Sequence, residues 1–232
     1  MTTSPILTTD GLRKNYGSTV ALGGVDMSVA AGESLALMGP SGSGKSTLLH
    51  CLAGIDVPDS GRVRWNDHGT WVRVDELSER ERSRLRREDF GFVFQQGLLI
   101  PELTAVENVA LALMVSGVSR RDAEPRAAQA LAGLGLAGLE ERRIGQLSGG
   151  QAQRVAIARA QVTEAEIVFA DEPTGALDSV TSDEVLTALL QATVDRGRTL
   201  VVVTHDEAVA ARCSRTVRLR DGVVEQVSEV AA

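Results

Sequence analysis

Apolar positions along this chain recur with three different periods, and each period predicts a different kind of element. Two early runs, Ile6 to Leu12 and Val20 to Val29, alternate apolar with polar residues on either side of Asn15-Tyr16-Gly17-Ser18, which predicts antiparallel strands joined by a turn. Ser34-Leu35-Ala36-Leu37-Met38, Ile167-Val168-Phe169-Ala170 and Thr199-Leu200-Val201-Val202-Val203 are apolar almost throughout. Short runs of that kind suit the buried centre of a parallel sheet. Phe90-Gly91-Phe92-Val93-Phe94 predicts a further strand, ending at Gln95-Gln96. Two hairpins are expected, one from Arg62 to Val74 around Asn66-Asp67-His68-Gly69, the other from Thr216 to Gln226 around Asp221-Gly222.

The helical period fills most of the remainder. Leu48 to Ala53 reads as a helix stopped by Gly54. Ser78 with Glu81, and Thr104 with Glu107, have the spacing of capping boxes; the first opens a charged helix through Arg87 and the second an apolar one from Ala105 to Val115. Further helices are expected after Ser119 to about Ala132, over Ala152 to Ala160 with Ser148 as N-cap, and from Ser179 to Val194. Residues 98 to 147 carry no strand pattern, so they read as a helical insertion in an α/β core. The organisation expected is one domain over residues 1-232: an α/β core with an antiparallel β part at 1-97 and 163-232, and a helical subdomain at 98-162.

Composition narrows the class. A net charge of −7 argues against broad nucleic-acid binding, which needs a basic surface. No apolar run approaches the roughly 20 residues that span a bilayer, and Met1 to Leu7 lacks the basic start and apolar centre of a signal peptide, so a cytosolic chain is expected. Cys51 and Cys213, in predicted helices without metal-ligand companions, read as buried reduced thiols. Lysine occurs only at 14 and 45 in an arginine-rich chain, which hints that a compact point charge is wanted at 45.

The chemistry starts at Gly39-Pro40-Ser41-Gly42-Ser43-Gly44-Lys45-Ser46-Thr47, which lies between a strand and a helix and fits G-x-x-x-x-G-K-[ST]. Gly42 and Gly44 let successive N–H groups turn inward around a phosphate at a helix N-terminus. Lys45 then reaches the β and γ phosphates, Ser46 ligates Mg²⁺, and Thr47 adds a hydroxyl. Asp171-Glu172, ending a buried strand, occupy the crevice where α/β proteins bind ligands. Asp171 suits the second Mg²⁺ position and Glu172 the orientation or deprotonation of attacking water. His205, ending another core strand, is expected in the same crevice. Leu147-Ser148-Gly149-Gly150-Gln151 opens a helix with two costly glycines, for which close approach of an anion is a better reason than packing. Tyr16, the single tyrosine, reads on its own as a packed surface aromatic before a base-stacking platform.

Taken together and in order, Gly39 to Thr47, Gln95, Leu147 to Gln151, Asp171-Glu172, Ala176-Leu177-Asp178 and His205 resemble the motif set of ATP-binding-cassette ATPases over nearly the whole chain. That resemblance implies a P-loop NTPase core, with a mixed, mostly parallel sheet flanked by helices, an N-terminal antiparallel β subdomain and an inserted helical subdomain. It implies ATP and Mg²⁺ as ligands and a head-to-tail homodimer. Each ATP would lie between the phosphate loop of one copy and Ser148, Gly149, Gly150 and Gln151 of the other. Tyr16 then matches the adenine-stacking aromatic, reversing the reading above. Gln95 matches the residue touching Mg²⁺ and water, His205 the γ-phosphate switch, and Asp178 the acid of the dimer-contact loop. Within the family, Gly91 to Gln95, Thr104 to Val109 and Ala170 to Ser179 look like the lipoprotein-releasing and macrolide or peptide exporter group, whose ATPases drive separate membrane permeases. The expected place is therefore the cytoplasmic face of the membrane, bound through the permease. Ala152, where the group has a larger polar residue, and Thr163-Glu164-Ala165-Glu166, which lacks the usual proline, depart from the pattern and bear on rate. The alternative is a regulatory subunit, in cell division or antibiotic sensing, that works through a membrane partner without transport. A cassette for DNA repair or translation would need a second cassette, a coiled-coil insertion or zinc cysteines, and a guanine-nucleotide switch would need Asn-Lys-x-Asp.

Overall fold

The computed structural model describes residues 4–95 and 97–229; Gln96, at the end of the predicted Phe90 to Phe94 strand, and the first three and last three residues lie outside it, including the start of the segment read for a leader. In chain order the elements are β1 (Pro5–Tyr16), β2 (Thr19–Ala30), β3 (Ser34–Met38), α1 (Lys45–Leu52), β4 (Ser60–Asp67), β5 (Thr70–Arg73), α2 (Glu79–Glu88), β6 (Phe90–Phe94), α3 (Ala105–Val115), α4 (Arg120–Ala132), α5 (Gly149–Gln161), β7 (Ile167–Asp171), α6 (Ser179–Ala192), β8 (Thr199–Val203), α7 (Glu207–Ala210), β9 (Arg215–Arg220) and β10 (Val223–Glu229). They fall into two compact units, one running up to Arg86 and resuming at Thr199, the other spanning Arg87–Arg198.

In the first unit, β2-β1-β4-β5 form an antiparallel sheet whose alternation buries Leu7, Leu12, Leu22, Val25, Val63 and Trp65 on one face. Beside it, β3 runs parallel to both β8 and β9, with Leu37 opposite Val203 on one side and Val217 on the other. Every residue of β3 and β8 is buried, which explains why their sequences do not alternate. β10 closes the edge antiparallel to β9 through a two-residue turn, with Asp221 and Gly222 both at positive φ. The β4–β5 turn is narrower than the sequence suggests, only His68-Gly69, with φ of 46° and 100°.

In the second unit β6 and β7 pair in parallel, and the Phe90 and Phe92 rings lie 5.2 Å and 5.7 Å from that of Phe169. Helices α3, α4 and α5 bury Val109, Leu113, Leu131 and Val155 in a common apolar cluster. The Thr104–Glu107 capping box closes α3 as expected, and Ser119 caps α4.

Three expectations are corrected. Tyr16 is the last residue of β1, where pairing with Thr19 extends the strand past the turn boundary. The Ser148 helix begins at Gly149, so both glycines lie in its first turn. Cys213 follows α7 in a turn, because α7 stops after one turn at Ala210. Both cysteines are nonetheless buried and free, and burial pushes each thiol up to about 12. Among the described residues, no helix is long and apolar enough to cross a membrane.

Candidate functional site

The first unit holds a loop shaped by contacts that no side chain could share. Gly39 follows β3 with φ of 141°, and a Cβ there would sit 2.1 Å from the Leu219 carbonyl oxygen and 2.7 Å from Ser43 Oγ. Gly42 and Gly44 have φ of 79° and 98°, and Gly44 is the N-cap of α1 without a capping side chain. The start of α1 thus carries no side-chain cap, and amides at such a helix start favour an anion. Lys45 is 8% exposed and its ammonium donates to Gly39 O at 2.9 Å and Pro40 O at 2.8 Å. Ser43 Oγ is buried with no hydrogen-bond partner among the described residues. Helix amides, an ammonium on neutral carbonyls and an orphaned hydroxyl together fit a phosphate group.

Parallel pairing carries His205 to the same end of the sheet. Thr204 N donates to Leu37 O at 3.1 Å, one strand over from the start of the loop, and the exposed His205 follows. Tyr16 is 51% exposed, and its hydroxyl donates to Asp56 at 2.5 Å. The Lys14 ammonium lies 2.9 Å from the Asp56 carboxylate and 5.4 Å from the centre of the Tyr16 ring. Thr47 also hydrogen-bonds the Tyr16 phenol, linking ring to loop. Burial pushes the Asp56 carboxyl up, but the bonds from Tyr16 and Lys14 outweigh it and hold the group below its usual range. The bond to Asp56 raises both Lys14 and Tyr16 above their ordinary values. Sequence reasoning missed Asp56 and Lys14. The signal available was the lysine bias, which singles out position 14 as well as 45.

The second unit holds the other group of expected residues. Phe94 pairs with Asp171 in the β6–β7 register, so Gln95 and Glu172 leave neighbouring strand ends. A Cβ on Gly175 would lie 3.1 Å from both Gln95 Nε2 and Glu172 Oε2, so the two side chains flank that glycine. Glu172 itself has φ of 46°, a left-handed backbone rarely adopted by a residue with a side chain. Ser148 accepts from Gln151 N at 3.2 Å while Gln151 Oε1 accepts from Ser148 N at 2.9 Å, a reciprocal cap at the start of α5. Ser148 and Gly149 are exposed. Gly150 is buried, and a Cβ there would meet Thr181 Cγ2 at 2.3 Å. Close packing against Thr181 therefore gives a reason for glycine at 150 beside the anion expected from the sequence.

Asp178 is the N-cap of α6, accepting from Val180 N and Thr181 N at 3.1 and 3.0 Å and from Thr181 Oγ1 at 2.7 Å. Those bonds, the Thr181 amide first, hold its carboxyl below the usual range. Two more residues of α5 act on the Gln95 loop and were missed from the sequence. Gln153 Nε2 donates to Phe94 O at 3.0 Å, and Arg159 donates to Leu98 O and Gly97 O at 2.7 Å each. Burial lowers the Arg159 guanidinium from its ordinary value.

The donor set for a metal is sparse. Among the described residues no group of three His, Cys, Asp or Glu could hold an ion. Ser46 in the first unit offers a hydroxyl and Asp171 in the second a carboxylate, each a hard oxygen donor of the kind Mg²⁺ takes, an ion that keeps waters and draws further oxygens from substrate phosphates.

Comparison with known proteins adds a family and relatives. The ABC transporter family matches residues 22–175. The chain is 46% identical over 225 residues to the lipoprotein-releasing system ATP-binding protein LolD of Geobacter metallireducens, covering 95% of this chain and 98% of that protein. It is 47% identical over 219 residues to the macrolide export ATP-binding/permease protein MacB of Rhodopseudomonas palustris, covering 92% of this chain but only 32% of that protein. Among solved structures, the dimeric post-hydrolysis state of the ATP-binding cassette MJ0796 bound to ADP and Pi matches with a TM-score of 0.87 and 38% identity, over 98% of this chain and 100% of that one.

Proposed function

This chain belongs to the ABC transporter family as one of its ATPases, with the α/β cassette fold of that family, and on this premise we propose that two copies close over shared ATP to drive a separate membrane permease. The observation that carries the proposal is the start of α5. The exposed Gly149 amide, outside the reciprocal Ser148–Gln151 cap, opens a helix to solvent beside the Ser148 side chain, in a unit that has no phosphate loop of its own. Such an end is suited to the γ-phosphate of a nucleotide held by another copy. One relative is named a macrolide export ATP-binding/permease protein, in which a cassette and a permease share one chain, and a matching cassette is dimeric. Names for lipoprotein release and macrolide export favour transport over a purely regulatory role.

In this reading the adenine stacks on Tyr16, and the Gly39–Thr47 amides wrap the phosphates. The Lys45 ammonium exchanges the Gly39 and Pro40 carbonyls for the β and γ phosphates. Ser46, Gln95 and Asp171 would hold Mg²⁺, which would supply positive charge to offset the negative charge that develops on the leaving group. Glu172 takes a proton from water as the water oxygen bonds to the γ-phosphorus. The bond to the β–γ bridging oxygen breaks and its electron pair leaves with ADP. His205 contacts the γ-phosphate, and Asp178 lies at the contact between copies. The helical subdomain at 98-162 meets the permease, which holds the chain at the cytoplasmic face of the membrane.

Replacing Glu172 with Gln tests the chemistry directly. ATP hydrolysis should fall by about 10²- to 10⁴-fold while ATP still binds. Turnover at the unaltered rate would remove Glu172 from the role of base.

A further inference from the structure

We infer that Thr181 is a positioning residue that fastens the Asp178 loop to the first turn of α5, so that both segments meet a shared nucleotide as one piece. The inference rests on the proposed roles of Ser148–Gln151 and Asp178. Thr181 stands in the first turn of α6, half-buried. Its amide and its hydroxyl both donate to the Asp178 carboxylate, at 3.0 and 2.7 Å. The amide bond helps to fix the carboxylate over the start of α6, and the hydroxyl bond to that fixed carboxylate then selects the Thr181 rotamer.

With the hydroxyl so held, the methyl is aimed at α5. A Cβ on Gly150 would be 2.3 Å from Thr181 Cγ2, whereas the next atoms, Thr181 Cβ and Val185 Cγ2, would be 3.8 and 3.9 Å away. The contact therefore depends on one methyl against one absent side chain. Leu177, on the other side of Asp178, makes the matching contact: its Cδ2 would lie 3.1 Å from a Cβ on Gly149. Two successive glycines of the α5 turn are thus met by residues that bracket Asp178. Any displacement of the Asp178 carboxylate frees the Thr181 hydroxyl and with it the methyl that sets the height of the Gly150 amide. A residue that only filled space would not need its hydroxyl tied to the acid of the loop.

The two halves of the threonine can be removed separately. Thr181→Val keeps a methyl and loses the hydroxyl; Thr181→Ser keeps the hydroxyl and loses the methyl. We expect each to lower kcat for ATP about tenfold in the 232-residue chain, with nucleotide affinity of the phosphate loop unaltered and the chain still folded at the assay temperature. Gly150→Ala should lower kcat further, and Gly150→Ala with Thr181→Ser should recover most of that loss, because serine lacks the obstructing methyl. The inference is overturned if the double variant is no more active than Gly150→Ala, or if Thr181→Val matches the unaltered chain. A simple packing role predicts the second result, since valine keeps the methyl that meets Gly150. Failure of the underlying reading has a different sign: Glu172→Gln would stay monomeric with ATP, irrespective of residue 181.

Discussion

A lysine ammonium resting on two peptide carbonyls, and an aspartate gathering a tyrosine hydroxyl and a second lysine, are two charged arrangements at the proposed nucleotide end of the first unit. The first is a resting contact that a phosphate can displace, since an anion outcompetes neutral carbonyls for an ammonium. The second is a mount. Asp56 and Lys14 hold the Tyr16 ring while leaving it half-exposed, with the ammonium over the ring. Asp56→Asn should therefore weaken ATP binding several-fold by loosening the ring. The pH dependence follows from the directions of the shifts. The Asp56 carboxyl lies low when folded, so its contribution is complete above the ordinary carboxylate range near ~4 and is lost as pH falls through the lower folded value. Lys14 and Tyr16 lie high, so theirs are complete below about 10 and lost only above it. The ratio of ATP affinities between the unaltered chain and Asp56→Asn should be flat from about pH 5 to 9 in a calorimetric titration. A ratio collapsing toward one between pH 6 and 8 would refute the mount.

At the scale of elements, backbone contact explains why some positions admit only one residue type. Gly39 cannot carry a Cβ without moving the Leu219 carbonyl of β9, and its φ is positive besides. Gly39→Ala should cost about 1–3 kcal/mol, lowering the thermal midpoint by roughly 2–12 °C for a chain of this size. An unchanged midpoint in calorimetry would mean that the loop yields more easily than its contacts imply. Which elements were legible follows the same logic. The strands β3, β7 and β8 announce themselves because burial on both faces leaves apolar residues at all but one end position of each, and α3 because its capping box is local in sequence. What escaped reading depends on neighbours far along the chain. Gly150 is fixed by Thr181, Asp56 matters through Tyr16, and Gln153 and Arg159 bind carbonyls around Gln95. No local pattern carries such pairings. The site motifs could be read because phosphate chemistry needs its residues close together in sequence; the side chains that mount them do not.

At the scale of the whole molecule, the account requires two copies. The chain presents a phosphate cradle in one unit and a capped, solvent-facing helix start in the other, and the proposed chemistry uses the second on a nucleotide held by the first of another copy. In the proposed cycle ATP would bridge the copies and hydrolysis would remove the bridge, turning binding energy into movement of a permease. The sharpest test is the mass of Glu172→Gln in solution, because that change slows loss of the bridge while leaving both surfaces in place. By size-exclusion chromatography with light scattering, the variant should run at the single-chain mass of 24.6 kDa without nucleotide and at twice that mass with Mg-ATP. A variant that binds ATP yet stays at the single-chain mass, with its permease present as well as absent, would contradict the account.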